Sequence, residues 1–482
     1  MTRRVVIVGA GAAGVYTAYR LRRLLGDDCE IVLLEGSDRI GGNASTLQVG
    51  DTSVECGAQF FHRGAQSGFL ALLAELDLLD DCQIVRTAAG FTIWDRAQQR
   101  RLLHLPATVA GFGALGFGDW IRATKFGVFL AYAWALERWE TDWTVSVDAW
   151  LGRMRLLDDD FKHRVIKPFL YQFVSLPPAR IGEASAKYAV TYLVRTLFPG
   201  GGAAPDVPRI GRARPTFEAF QSLVGIAEIH RRVLAAADVR AQTRTRVLAI
   251  RPMPERGATV VTDDGEIVAD DVVLATDPHA AARVLEGDGA WDSGLIDGLR
   301  GLEYARLPIS IQHGQPAHMP QRRSDWQPFN TILDGDAAMF SVWFGPMRAP
   351  AADGSPLSLF KSWGSPELYP TRAGSEILAH HHFVPLPTVE FMRSREVLLP
   401  RWQGERGLWF AGGWTRWFDS QEAALGSADA VAHAIAGLDA VSVDELDARA
   451  DVQRVLERTA THAPVELRHR LVHAVDEVEA RG

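Results

Sequence analysis

The chain has 482 residues, 47% of them apolar, with a formal net charge of −8 and three cysteines. That length admits two or three domains, and the acidic balance excludes a general nucleic-acid binder, which needs a dense cationic face. Cys29, Cys56 and Cys82 are too few for a disulfide framework and point to a reducing cytoplasm; no apolar run reaches the roughly 18 residues of a membrane-crossing helix, and no signal peptide is expected.

Val5-Val6-Ile7-Val8 lacks polar alternation and reads as a strand buried on both faces. Gly9-Ala10-Gly11-Ala12-Ala13-Gly14 follows, then a helical stretch to about Leu25. In this G-x-G-x-x-G pattern Gly9 makes the tight turn, Gly11 admits a pyrophosphate to the backbone, and Gly14 lets helix and strand pack closely. The anion sits on the helix N-terminus, where free N–H groups and the dipole favour negative charge. A second strand, Glu30 to Leu34, ends at Glu35, whose carboxylate can accept the hydroxyls of an unmodified ribose. Strand, helix, strand and acid in this order predict a bound dinucleotide, with Ala13 and Gly36 beside it. A second glycine pair follows in Asp38-Arg39-Ile40-Gly41-Gly42-Asn43.

Strands are predicted at Thr46 to Val49 and Ser53 to Glu55, running into Gly57-Ala58-Gln59-Phe60-Phe61-His62. Phe69 to Leu79 reads as an amphipathic helix and Phe91 to Trp94 as a short strand. From 107 to 200 the spacing of Phe112, Leu115, Phe117, Trp120, Phe126, Phe129, Tyr132 and Trp134 is helical. Ordinary helix packing is the preferred reading; a surface-lying helix over 112 to 136 that collects a lipid is the alternative. The fourteen tryptophans of the chain suit either a large apolar cavity or an aromatic core.

Gly200 to Pro205 reads as a linker, and Thr216 to Ala236 as a helix. Strands are expected at Val239 to Ile250, Ala258 to Thr262 and Val272 to Thr276, with Asp263-Asp264-Gly265 as a hairpin turn. Ile309 to His313 and Ala338 to Phe344 alternate like strands. In His380-His381-His382, neighbours on a strand face opposite ways, so only His380 and His382 can share a face, and no metal is predicted. Leu408-Trp409-Phe410-Ala411-Gly412-Gly413-Trp414-Thr415 is a buried strand ending in two glycines, followed by a helix start at Ser420-Gln421-Glu422-Ala423-Ala424. The charged stretch 441–482 carries a thin apolar stripe and reads as a helical tail.

These motifs resemble the flavin-containing amine oxidase superfamily. Arg39 to Gly42 is similar to its R-x-G-G segment, Gly57 to Phe60 to its G-[AG]-x-[FYW] element, and Phe410 to Thr415 with Glu422 to Ala424 to its closing F-A-G-[DE]-x-T and E-G-A motifs. Two departures stand out: Gly413 replaces the usual acid and Ala423 the usual glycine. The segment from Tyr304 to Trp326, together with His380 to Phe383, also resembles a bacterial amine oxidase-like branch linked with lipid modification. The resemblance implies an α/β fold: a Rossmann-like FAD-binding domain of amine-oxidase type (1–90, 205–300 and 396–440) with an inserted α+β substrate domain (91–204 and 301–395). It implies FAD on Gly9, Gly11, Ala13, Gly14, Glu35, Gly36, Gly41, Gly42 and Asn43. Gly57, Ala58, Gln59, Phe60, Gly412, Gly413, Trp414, Ala423 and Ala424 would then lie about the flavin, with the Val247 backbone against the adenine.

The reaction so implied is hydride transfer from a C–H of a hydrophobic amine or carbon chain to flavin N5, the cofactor supplying the difficult chemistry. The alternative is a redox-neutral double-bond isomerisation of a lipid-like substrate. His382 as polar orienter, with Tyr171 and Trp343 as cavity walls, are the catalytic candidates. Lys125, Lys162, Lys167, Lys187 and Lys361 are the main candidates for a lysine beside the flavin, but none stands at the family's position, which argues against a fast oxidase; no cysteine stands at an attachment position, so the FAD is expected to be non-covalent. Peripheral membrane contact and a homodimer are left open.

Overall fold

The computed structural model describes residues 2–50, 52–198, 205–287, 289–350, 354–365 and 376–438. The Gly200–Pro205 linker (save Pro205) and the 441–482 tail lie outside them.

Five parallel strands form the first sheet, in the order Leu408–Phe410, Asp271–Leu274, Arg3–Val8, Cys29–Glu35, Ala241–Thr243. Val5 and Ile7 pack against the helices Ala12–Leu25, Ile226–Ala236 and Gln421–Ile435, whereas Val6 and Val8 belong to a second cluster that holds Ile250, Val260, Ala281 and Leu285. Both faces of the strand are therefore covered, which is why its sequence has no polar alternation. Each such side chain contributes about 1.5–3 kcal/mol on burial. The strands come from widely separated stretches of chain, so the sheet closes only when the two ends of the described chain meet.

The second sheet has seven strands: Glu376–Pro385, Tyr304–His313, Leu357–Gly364, Ala337–Gly345, Phe329–Asp334, Phe91–Asp95 and Arg100–Leu105. Its neighbours are antiparallel except Phe329–Asp334 with Phe91–Asp95. Against it stand the helices Phe117–Trp139, Lys167–Val174 and Ala186–Leu197, with Phe126, Phe129 and Phe91 packed around Phe169. The opposite side of the Phe117–Trp139 helix is open: Phe117 is 83% and Trp139 68% exposed, with Trp120, Ile121 and Trp134 also in solvent. Packing therefore accounts for one face of that helix and leaves the other aromatic face uncovered. Among the described residues no helix is long and apolar enough to cross a membrane.

Three expectations change. Thr216 to Ala236 is not one helix: Phe217–Ser222 is a strand paired with Ile84–Ala89, and only Ile226–Ala236 is helical. Gly225, at φ 102°, makes the break, and long-range pairing with Ile84–Ala89 overrides the local helical pattern. The stretch Val239 to Ile250 divides into Ala241–Thr243 and Val247–Pro252, with Arg244 at φ 61° between them, so each half joins a different sheet. Phe69 to Leu79 likewise breaks at Asp77, which is left-handed and separates Ser67–Glu75 from Leu78–Asp81.

Candidate active site

The C-terminal ends of the parallel strands open onto a cavity of about 510 Å³ that reaches across to the seven-stranded sheet. A second cavity of about 420 Å³ shares Gly9, Glu35, Thr276 and Ala280 with it, so the two form one elongated space. Gly9 (φ 101°) donates its N–H to Leu34 O at 2.7 Å and turns the chain into the Ala12–Leu25 helix, whose first turn holds no acid. At Gly14 a Cβ would lie 1.9 Å from Gly9 O, which is the close helix–strand approach expected of it. Gly11 and Gly42 face one another: a Cβ on Gly42 would come 3.1 Å from Gly11 Cα. The guanidinium of Arg39 ties down the second glycine turn, donating to Gly42 O and Ala44 O at 3.0 Å each. Glu35 is held by the N–H groups of Ala10 (2.9 Å) and Ser37 (2.8 Å), and one end of the space closes around Gly36, Arg246 and Val247.

The other end lies beyond the strand Thr52–Glu55. Gly57 and Ala58 line it, and a Cβ at Gly57 would meet Asn43 O at 2.2 Å and His382 Cε1 at 2.8 Å. Ala13, Gly41, Asn43, Gly412, Gly413, Trp414, Ala424 and His382 also line the cavity. An anion cradle at a helix N-terminus, a pinned carboxylate on one side and a glycine-walled slot on the other suit a flavin dinucleotide. Cys56 borders the slot, and burial pushes its thiol above the usual range, which keeps it protonated.

Five expected residues stand elsewhere. Gln59 Oε1 accepts from Glu55 N at 2.8 Å, and this turns the amide into the core. Phe60 packs on Phe329 and Phe344. Ala423 lies behind Ala424, its N–H bonded to the helix-capping Ser420 Oγ. Trp343 does not wall the cavity: it pairs in register with Phe360, whereas Val342 pairs with Lys361, and strand alternation therefore points it to the opposite face. There it packs on Trp326 and donates to Leu357 O at 3.0 Å. Tyr171 is buried in the main core, and the helix turns its neighbours Gln172 and Phe173 to the cavity instead. Of the histidines, His381 is exposed and His382 faces the slot; the His380 side chain is outside the described residues. Among the described residues no three His, Cys, Asp or Glu side chains are placed to hold a metal.

Of the five candidate lysines, Lys361 reaches this end of the cavity. Lys361, on Leu357–Gly364, is buried in the cavity and donates to Gly57 O. Burial lowers its pKa to about 8, against the opposing pull of Cys56 and Glu55. The sequence signal was a single lysine inside the otherwise uncharged Leu357-Ser358-Leu359-Phe360-Lys361-Ser362-Trp363, without any motif spacing to mark it. Asp419 was missed. Its side chain is exposed to the cavity, whose enclosing walls push the carboxyl up to about 6, and it makes no side-chain hydrogen bond among the described residues. A Cβ at Gly413 would meet Asp419 Oδ1 at 2.4 Å, so this carboxylate fills the space left by the acid that Gly413 lacks. Tyr188 OH accepts the Asp419 N–H at 3.1 Å; Tyr188 and Tyr304 complete this corner, both held strongly protonated by burial.

The family model for flavin-containing amine oxidoreductases matches residues 12–366. Coproporphyrinogen III oxidase of Mycobacterium tuberculosis (strain ATCC 25618 / H37Rv) is 40% identical over 109 residues, 23% of each chain. Polyamine oxidase 1 of Oryza sativa subsp. japonica is 36% identical over 78 residues, 16% of this chain and 15% of that one. The matched stretches thus span under a quarter of these relatives. Putrescine oxidase bound to putrescine superposes with a TM-score of 0.62 at 15% identity, covering 91% of this chain and 99% of that one. The fatty acid isomerase of P. acnes gives 0.61 at 12%, covering 88% and 97%. At such identities these two structures speak for the fold alone.

Proposed function

Because the chain belongs to the family of flavin-containing amine oxidoreductases, we propose that it holds FAD non-covalently in the elongated cavity and dehydrogenates a hydrophobic small molecule there. The observation that carries this reading is the elongated space itself, with a glycine cradle at mid-length, Glu35 beside it and a Gly57–Ala58 slot at the far end. When bound, the flavin supplies the hydride acceptor. Gly11, Gly41 and Gly42 would admit the diphosphate, Glu35 would accept ribose hydroxyls, and Val247 would back the adenine. Asp419 would accept a hydroxyl of the polyol chain in place of the acid missing at position 413. Phe173, Val174, Leu307, Ile309 and Val384 give the space above the slot apolar walls, which orient the substrate and exclude water.

Lys361, with its lowered pKa, would hold or release a proton at Nζ near neutral pH, and His382 would orient the reacting end of the substrate. The same apolar walls favour one second reading, a redox-neutral double-bond isomerisation of an unsaturated chain. Anaerobic mixing of the yellow protein with a panel of amines and unsaturated fatty acids separates the two. Lasting bleaching of the flavin marks dehydrogenation, and turnover without lasting bleaching marks isomerisation. Well-folded protein that is colourless and takes up no added FAD would overturn both.

A further inference from the structure

A third cavity, of about 570 Å³, lies between the C-terminal turn of the Ala186–Leu197 helix and the strand Phe217–Ser222. It shares no lining residue with the active cavity. Three arginines border it. Arg209 is paired with Glu218 at 2.7 Å, but the half-buried Arg63 and the exposed Arg214 make no side-chain hydrogen bond or ion pair among the described residues.

A second, independent observation points to the same place. The hydroxyls of Thr196 and Thr216, both on this cavity's wall, are buried without a hydrogen-bond partner. Folding leaves such groups unsatisfied only at a cost, and rotation of either half-buried side chain would turn its hydroxyl to an anion in the cavity. The helix C-terminus nearby disfavours negative charge. The two guanidinium groups on the cavity wall supply the opposing charge, and guanidinium matches the geometry of carboxylate or phosphate.

We infer that Arg63, Arg214, Thr196 and Thr216 form an oxyanion site, for a carboxylate or phosphate carried on an apolar body that rests on Leu197 and Phe217. Thr196 stands eight residues beyond Tyr188 on one helix, about 12 Å along its axis, so a bound head group is within one lipid length of the active cavity. The assignment does not depend on the flavin reading, which the absorbance of each variant reports separately.

Calorimetric titration of the holoprotein with octanoate and with inorganic phosphate tests it. Saturable octanoate binding is expected, weakened about tenfold in Arg63→Gln and in Arg214→Gln, and by rising salt. The double variant Thr196→Val/Thr216→Val should weaken binding about threefold while leaving the salt dependence unchanged. Phosphate binding as tightly as octanoate supports the anion site and identifies a free anion as its ligand. Absence of saturable binding by both, or unchanged affinity in Arg214→Gln, whose exposed side chain can be removed without loss of fold, overturns it.

Discussion

The two walls of the active cavity are built on different principles. One, from the parallel sheet, is made largely of backbone: Gly11 and Gly42 face each other, Gly9 lies against Ala275 O and Gly41 against Ala44 O, approaches possible only without side chains. The other, from the seven-stranded sheet and its helices, is made of side chains: Lys361, Trp363, His382, Tyr304 and Phe173. A side chain added to a backbone wall either meets neighbouring backbone, as at Gly9 and Gly41, or takes the ligand's place, as at Gly11. A side-chain wall tolerates changes of size and fails only where a particular polar group is lost. On the proposed reading the difference teaches where binding and chemistry divide: the first wall would hold the cofactor, and the second would set what happens to a substrate.

Substitutions that respect or cross this division test it. Gly11→Val should have the largest effect. Gly11 has an ordinary φ of −75°, so the fold should survive while the new side chain fills the anion cradle. Retained flavin should fall at least about a hundredfold, read by absorbance of the purified protein, with the circular dichroism unchanged. A yellow Gly11→Val protein would break the comparison.

Lys361→Met should keep the flavin and slow substrate-dependent reduction by about a hundredfold. Its linkage has a definite sign. The lysine titrates near 8 in the fold against 10.5 as the ordinary value, so the unfolded chain binds more protons between these pH values. Wild-type stability therefore gains with rising pH across that window, and thermal melts of Lys361→Met should lack that gain.

Asp419→Asn sharpens the comparison at its boundary, since the carboxylate lies against the backbone wall. Flavin affinity should fall by about three- to tenfold at pH 7.5. Below pH 6, where the wild-type carboxyl takes up its proton, the gap should close. Equal affinities of both proteins at every pH would remove Asp419 from the cofactor's contacts.

The smallest effect belongs to Trp343→Phe. The ring lies on the far face of the sheet, so turnover should change less than about twofold while stability drops by about 1–2 kcal/mol through the lost hydrogen bond to Leu357 O and lost packing.

By itself the sequence determined the backbone wall. A strand without polar alternation, glycines at fixed intervals and an acid at the next strand end are local patterns, each set by φ, ψ and side-chain volume within a few residues. Gly9, Gly11, Gly42, Glu35 and Gly412 were legible for that reason. Aromatic residues named for the other wall, Tyr171 and Trp343, were chosen by type, and type does not say which way a side chain faces. Only the tertiary structure decided that Lys361 reaches Gly57 across 304 residues of chain and that Asp419 fills the space over Gly413. Such placements depend on strand register and on the meeting of distant segments, and no local periodicity encodes either.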